Sequence, residues 1–194
     1  MLDTHGRKYV QPTIEKTAKS LLKFGLSANQ LTWIAFLIGS TSGLFIYFNQ
    51  PVLAVVVLWF SGFLDAVDGT MARLTKPSAW GTVLDITFDR VVEISVILGL
   101  AFAFPESQWA LLLLSVSIIV SMTIFLTVGA VTEKHGMKSF YYQAGLAERT
   151  EGFILFSLMI LFHPYLTILT LVFFVVELYT AFQRLAEAKR LLTK

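Results

Sequence analysis

Cysteine is absent from the 194 residues, and charged side chains make up only 14% of them. Without cysteine there is no disulfide framework and no thiolate metal site, so a bound metal must use oxygen or imidazole ligands. With so few charges, 56% hydrophobic residues and a mean hydropathy of +0.71, the composition is wrong for a water-soluble globule. The sequence therefore predicts an integral membrane protein. We expect no cleaved signal peptide, because the first thirty residues lack a continuous apolar core.

Long apolar runs take up most of the chain. Each is close to the roughly 20 residues that a helix needs to cross about 30 Å of hydrocarbon, and short polar or proline-containing breaks separate them. We expect an all-α fold with six transmembrane helices near residues 31–49, 52–74, 82–104, 109–132, 145–162 and 164–183. The chain then forms a single membrane domain over 1–194, made of a cytoplasmic interfacial segment (1–30), a six-helix bundle (31–183) and a cytoplasmic tail (184–194).

Lysine and arginine fall at alternate ends of these apolar runs. They precede the first run and follow the second, fourth and sixth, whereas the connections at 49–51, 105–108 and 163–164 carry none. By the positive-inside rule, both termini are expected on the cytoplasmic side of a cell or inner membrane. Residues 12–24 place apolar side chains along one side of a helix, which predicts an amphipathic interfacial helix on anionic headgroups. The alternative for this segment is a solvated basic tail.

Four aspartates stand at the junction of the second and third runs, where carboxylates are costly. Asp65 and Asp68 close one run, and Asp85 and Asp89 open the next. Unpaired carboxylates at membrane depth cost about 2.5–3.5 kcal/mol each. On helices the first two are i,i+3 neighbours and the last two are i,i+4 neighbours, so each helix presents one pair. Cations must compensate the four charges.

The residues around the aspartates indicate which cation and which ligand. A hard, all-oxygen site suits Mg²⁺ or Mn²⁺, which also take waters and substrate phosphates as ligands. Gly69 and Ala72 are small enough for a ligand to approach the backbone. Arg73 presents a permanently charged fork that matches phosphate oxygens. Metals, arginine and small residues together predict a pyrophosphate cradle.

The whole region reads as one pattern, Asp65-x2-Asp68-Gly69-x2-Ala72-Arg73-x7-Gly81-x3-Asp85-x3-Asp89. This pattern resembles the signature of the CDP-alcohol phosphatidyltransferase family. The six-span layout and the basic N-terminal helix extend the resemblance over most of the chain. It implies a membrane enzyme of phospholipid biosynthesis that takes a CDP-linked lipid such as CDP-diacylglycerol as donor, transfers its phosphatidyl group to a small alcohol and releases CMP.

The resemblance also assigns roles to the site residues. It implies two divalent cations on the donor's pyrophosphate, with Asp65, Asp68 and Asp85 as metal ligands. Asp89 matches the family position that binds the second metal and accepts the proton of the acceptor hydroxyl. It further suggests a homodimer that contacts membrane lipids and no nucleic acid.

Other positions match the family's nucleotide contacts. Gly69, Arg73 and Gly81 are such matches, next to Ala72, and Ser78 adds a phosphate contact. The stretch from Ser27 to Thr32 is similar to the family's polar entry to the first span, with alanine in place of the usual proline. By that match Asn29 and Thr32 contact the CDP group; the alternative is that Ser27 or Asn29 only caps a helix.

The acceptor site is expected in the polar run between the fourth and fifth spans. Glu148-Arg149-x-Glu151 is similar to a stretch of the phosphatidylinositol-phosphate synthase and phosphatidylserine synthase branches, but Gly152 replaces an arginine of the first branch. Lys138 and Arg149 suit a phosphorylated polyol, whereas Glu148 and Glu151 suit an amino alcohol. The Asp-Pro-x-x-Asp-Lys form associated with phosphatidylglycerophosphate synthases is absent from this sequence. The acceptor of those synthases is therefore less favoured here.

Two other functions use intramembrane carboxylates. A divalent-cation transporter needs them between helices, but a fixed arginine such as Arg73 repels a bare cation and suits a phosphate. A CDP-lipid pyrophosphatase would use water as the acceptor on the same metal site. Metal flux that needs no CDP-lipid would indicate a transporter. CMP release that needs no alcohol would indicate a pyrophosphatase.

Overall fold

The computed structural model describes residues 7–132, 145–146 and 148–193, with side chains from residue 10 onward. Within these ranges nearly every residue is helical and no strand occurs, which confirms the all-α class. The helices are α1 (Arg7–Lys23), α2 (Ala28–Tyr47), α3 (Pro51–Leu74), α4 (Ala79–Ala103), α5 (Gln108–Val131), α6 (Arg149–Leu161) and α7 (Leu166–Leu192), and short 3-10 helices lie at Pro105–Ser107 and His163–Tyr165.

Four described segments are long and apolar enough to cross a membrane, which agrees with a multi-pass protein. They are Ala28–Tyr47, Pro51–Leu74, Pro105–Val131 and His163–Leu192. The two other predicted spans correspond to α4 and α6. Helix α4 has sufficient length, 25 residues, but it carries four charged side chains between Asp85 and Glu93. Helix α6 has 13 residues. The four candidate spans and the six predicted spans therefore differ only by α4 and α6.

Helices α1 to α4 form one compact unit, and the described part of the chain from Pro105 onward forms another. In the first unit both α3 and α4 pack along α2. Small residues on α2 permit this, as membrane helices commonly meet through such positions. A methyl group built on Gly39 would lie 2.7 Å from Oγ of Ser61 in α3 and 2.8 Å from Cγ2 of Val92 in α4. Helix α2 is thus the shared support of α3 and α4.

Gly43 makes the closest of these helix contacts. A Cβ at Gly43 would collide with the backbone carbonyl of Ser95, and a Cβ at Gly99 would lie 2.5 Å from the carbonyl oxygen of Gly43. Because backbone cannot swing aside, we expect Gly43→Ala to cost about 1–3 kcal/mol and to lower the thermal midpoint in detergent by about 5 °C. Gly152→Ala is the matched control, since its Cβ would meet Phe173 at 3.6 Å. Equal midpoints for the two variants would contradict the close contact.

Helix α1 packs its apolar side on α3 within the same unit. Ile14 is 4% exposed and Ala18 is fully buried. Their cluster also contains Leu31, Ala35, Leu64, Val67 and Met71. Lys16, Lys19 and Lys23 are exposed. The helix is amphipathic as predicted, and these two residues of its apolar side are covered by protein.

The described part of the second unit consists mainly of the helices α5, α6 and α7. Helix α7 packs against α5 and α6. The Oγ atom of Ser107 lies 2.9 Å from Oγ1 of Thr167, and the rings of Phe156 and Phe173 meet edge to face with centroids 5.1 Å apart. Helix α7 continues to Leu192, so most of the segment predicted as a tail, 184–194, extends the last helix.

Candidate metal and nucleotide site

Three of the four predicted aspartates converge between α3 and α4. One carboxylate oxygen each from Asp65, Asp68 and Asp85 lies within 4.8 Å of the others. Asp89 follows Asp85 by four residues on α4 and therefore lies one turn further along the same side of that helix. The structure thus brings together the two aspartates of α3 and the first aspartate of α4.

Local signals between α3 and α4 explain this convergence. Helix α3 ends at Leu74, where the N–H of Thr75 donates to the carbonyls of Met71 and Ala72. Lys76 precedes Pro77 and is disfavoured in helical conformation. Ser78 then caps α4, because its Oγ accepts the N–H of Gly81 at 2.9 Å. The chain reverses within four residues, so the last turns of α3 lie near the first turns of α4.

The electrostatics of the three carboxylates favour a bound cation. Asp68 is 3% exposed, whereas Asp65 and Asp85 are partly exposed. Like charges at 4.8 Å or less repel by about 3 kcal/mol per pair at an effective dielectric of about 20. Three oxygen ligands of this kind suit Mg²⁺ or Mn²⁺. The residues present therefore fit the metal that the sequence predicted.

Arg73 is held next to Gly69, one turn along α3. Its Nη1 lies 3.6 Å from the place that a Cβ of Gly69 would take. Its Nη2 donates to Oγ1 of Thr70 at 2.7 Å. Arg73 is exposed and Ala72 is partly exposed. A guanidinium beside a glycine backbone provides donors and space for phosphate oxygens.

Gly81 adjoins two polar side chains at the start of α4. A Cβ built on it would lie 3.1 Å from Oδ1 of Asn29 and 3.1 Å from Oγ of Ser78. Asn29 comes from the first turn of α2, so two helix starts meet here. The structure thus brings together three residues that the sequence predicted as contacts of the CDP group.

The capping alternative for Asn29 is decided at Ser27. Ser27 is the N-cap of α2, in a capping box with Gln30. Asn29 therefore lies inside the helix with its side chain toward Gly81. Thr32, in contrast, is 6% exposed and donates to the carbonyl of Ala28 at 3.0 Å. This hydroxyl hydrogen-bonds within its own helix.

The predicted acceptor residues belong to the second unit. Glu148 is 6% exposed and precedes α6, which begins at Arg149. The Arg149 guanidinium carbon lies 5.4 Å from the centroid of the Phe153 ring. Glu151 lies in the first turn of α6 and is partly buried. Lys138 lies outside the described residues.

Two arginines show pairings that the sequence only partly indicates. Arg90 forms an ion pair with Glu93 one turn along α4. Arg184 is 7% exposed, donates to Oγ of Ser121 at 2.9 Å and lies over the ring of Phe125. The sequence placed Arg184 in a basic tail. Continuous helical periodicity beyond residue 183 was the available signal that the last helix continues through Arg184.

Comparison with known sequences agrees with this site. The chain matches the family described as CDP-alcohol phosphatidyltransferase over residues 26–183. It is 32% identical to the inner membrane protein YnjF of Escherichia coli over an alignment of 174 residues. That alignment covers 84% of this chain and 82% of YnjF. It is 32% identical over 163 residues to the phosphatidylinositol phosphate synthase of Corynebacterium glutamicum, which covers 79% of this chain and 71% of that protein. A 40% identical stretch of 96 residues matches the archaetidylinositol phosphate synthase of Pyrococcus horikoshii, covering 49% of this chain and 51% of that protein.

Solved structures with a similar fold include the phosphatidylinositol phosphate synthase (PgsA1) of Mycobacterium tuberculosis. With CDP-DAG bound, it superposes with a TM-score of 0.76 at 25% identity, over 91% of this chain and 93% of that one. In complex with manganese and citrate, it superposes with a TM-score of 0.75 at 25% identity, over 90% and 88%.

Proposed function

The chain belongs to the CDP-alcohol phosphatidyltransferase family, and we propose that it transfers the phosphatidyl group of CDP-diacylglycerol to a phosphorylated polyol, releasing CMP. It is a membrane transferase of phospholipid biosynthesis. The convergence of Asp65, Asp68 and Asp85 at the turn between α3 and α4 carries the proposal for the reaction. The relatives named as phosphatidylinositol phosphate synthases support the choice of acceptor.

The chain's own residues have distinct parts in the proposed reaction. Asp65, Asp68 and Asp85 would hold divalent metal, Mg²⁺ or Mn²⁺, and the relative solved with manganese supports a metal here. Two ions per site are proposed from family membership. Bound metal neutralises charge on the donor's phosphate oxygens. Arg73 donates to a phosphate oxygen.

A cradle formed by Asn29, Ser78 and Gly81 receives the CDP group of the donor, with Gly69 and Ala72 leaving room along α3. Thr32, three residues after Asn29 on α2, is the further proposed contact of the CDP group.

The transfer itself is a substitution at the phosphatidyl phosphorus. The acceptor hydroxyl oxygen forms the new P–O bond, and the bond to the CMP oxygen breaks, so that CMP leaves with the electron pair. Asp89 takes the hydroxyl proton and would also serve as a ligand of a second metal. It lies one turn beyond Asp85 on the same side of α4, and a carboxylate there suits the part of a general base.

The acceptor is proposed to bind in the second unit's polar segment. Arg149 and Lys138 supply positive charge for a phosphate on the polyol. Glu148 and Glu151 then bind polyol hydroxyls as hydrogen-bond acceptors. If the acceptor were an amino alcohol instead, these two carboxylates would bind its ammonium group.

The membrane placement follows from the charge pattern. We propose six spans, with α4 and α6 as the third and fifth, and α1 at the interface with Lys16, Lys19 and Lys23 toward anionic headgroups. Both termini and the metal site then face the cytoplasm. A homodimer is proposed from family membership.

The test is CMP release by purified protein with CDP-diacylglycerol and Mg²⁺ or Mn²⁺. The acceptors are inositol 1-phosphate, glycerol 3-phosphate, inositol, serine and ethanolamine, with an EDTA-treated sample and a sample without acceptor as controls. We expect release that depends on a phosphorylated polyol and that EDTA removes.

CMP release with serine or ethanolamine would agree with the proposed reaction but would contradict the proposed acceptor, a phosphorylated polyol. Full-rate release without any alcohol would indicate a pyrophosphatase. Metal flux into proteoliposomes that is unaffected by CDP-lipid, without CMP release, would indicate a transporter.

A further inference from the structure

We propose that Thr70 positions the guanidinium of Arg73 for the donor's phosphate. The inference rests on the proposed function, because it assigns a support to a residue of that site. The pattern that relates the chain to its family includes Gly69, Ala72 and Arg73 and leaves residue 70 open. The role of Thr70 as a positioning residue therefore does not follow from the family pattern and is argued from the contacts of this chain.

Two hydrogen bonds carry the inference. The Oγ1 of Thr70 donates to the carbonyl of Ala66 at 2.9 Å. The Nη2 of Arg73 donates to the same Oγ1 at 2.7 Å. A hydroxyl has one proton, and here that proton goes to the carbonyl. The oxygen's lone pairs therefore face the guanidinium, which can only donate.

The second partner of Thr70 distinguishes it from three other threonines of the described helices. Thr17, Thr123 and Thr170 also donate to the carbonyl four residues earlier, at 2.8–2.9 Å. That bond alone satisfies a hydroxyl within a helix. At Thr70 the same bond fixes an oxygen that then holds an arginine.

Burial makes Thr70 a rigid support for a mobile group. Thr70 is 3% exposed, whereas Arg73 is exposed. A free arginine side chain loses much rotamer freedom when it binds a phosphate. Fixing one terminal nitrogen in advance reduces that loss, and Nη1 then lies beside Gly69. The restraint should therefore improve donor binding more than the chemical step.

Thr70→Val tests the role, because valine keeps the shape and removes the hydroxyl. We expect the KM for CDP-diacylglycerol to rise about 3- to 10-fold with kcat within about twofold, since the guanidinium remains and only the hydrogen bond that restrains it is lost. Thr70→Ser keeps the hydroxyl and should restore the wild-type KM. An unchanged KM in Thr70→Val, in a protein that turns over normally, overturns the inference and leaves the proposed function standing.

A double-mutant cycle separates positioning from general damage to the helix. If Thr70 acts through Arg73, Thr70→Val adds no further rise in KM to Arg73→Ala. A rise of the same size in both backgrounds overturns the inference. Thr170→Val is the matched control, since Thr170 is also buried and bonded to a carbonyl four residues earlier, and its KM should match wild type. If Thr70→Val does not fold, Thr70→Ala takes its place in the cycle.

Binding of CDP in Mn²⁺, measured by calorimetry, distinguishes the two failures. Wild-type protein should bind CDP, and Thr70→Val should bind it about 3- to 10-fold more weakly, by the same loss of the hydrogen bond that restrains Arg73. Equal affinities overturn the positioning role alone. Wild-type protein that neither binds CDP nor releases CMP overturns the proposed function and this inference together.

Discussion

Asp89→Asn should abolish phosphatidyl transfer while leaving much of the donor binding in place. We expect CMP release to fall by about 100-fold or more, the usual contribution of a general base. Asparagine has nearly the same shape as aspartate but does not accept a proton at neutral pH. Donor binding persists because the three convergent carboxylates, Asp65, Asp68 and Asp85, are unchanged. The measurement is acceptor-dependent CMP release alongside metal-dependent binding of CDP-diacylglycerol.

Glu93→Gln is the matched control, because it removes a carboxylate one turn further along the same helix. Glu93 pairs with Arg90, and glutamine keeps an oxygen that accepts from that arginine. Turnover in this variant should stay close to wild type, with thermal unfolding used to check the fold. Normal turnover in Asp89→Asn would remove Asp89 from the reaction, and equal losses in both variants would indicate a general effect of charge on α4.

The ends of the site helices followed from local sequence signals. The second apolar run was predicted at 52–74 and forms α3 (Pro51–Leu74), while the third was predicted at 82–104 and forms α4 (Ala79–Ala103). Proline at the first helical position and the Ser78 cap define these starts, and such signals act within one turn. The convergence of the aspartates was equally predictable, since it needs only helical spacing and a short reversal of the chain.

Packing between distant helices was not predictable in the same way. That α3 and α4 share α2 as support depends on which faces of three helices meet, and Gly39 and Gly43 alone do not specify the partners. Likewise, an amphipathic pattern in α1 predicts an apolar side but cannot distinguish lipid from protein as its cover. The structure places Ile14 and Ala18 of that side against α3.

Side-chain pairings around the charges were also hidden from the sequence. Arg73 was predicted as a phosphate ligand, but its bond to Thr70 depends on the rotamers of both side chains. The sequence predicts a tail position for Arg184, because a basic residue after an apolar run resembles an interfacial anchor. Its burial against Ser121 and Phe125 arises from the packing of α5 on α7, which no local pattern encodes.

The most buried carboxylate of the site, Asp68, is expected to carry much of the effect of metal on stability. Asp68→Ala removes one of three convergent carboxylates whose charge a bound cation would compensate, so each protein is compared with itself in EDTA and in Mn²⁺. With Mn²⁺ at about 100 times its Kd, wild type should gain about 2.7 kcal/mol, which corresponds to roughly 5–10 °C in the thermal midpoint. The variant should lose this gain together with metal-dependent binding of CDP-diacylglycerol.

Glu106→Ala is the control for this measurement, since Glu106 is an exposed carboxylate in the 3-10 helix Pro105–Ser107. It should keep both the Mn²⁺-dependent rise in midpoint and donor binding. Thermal unfolding of the three proteins with EDTA and with Mn²⁺ separates a metal ligand from a structural carboxylate, because loss of a purely structural group would lower the midpoint in both conditions. An Asp68→Ala protein that Mn²⁺ stabilises as much as wild type would show that the metal binds without this side chain.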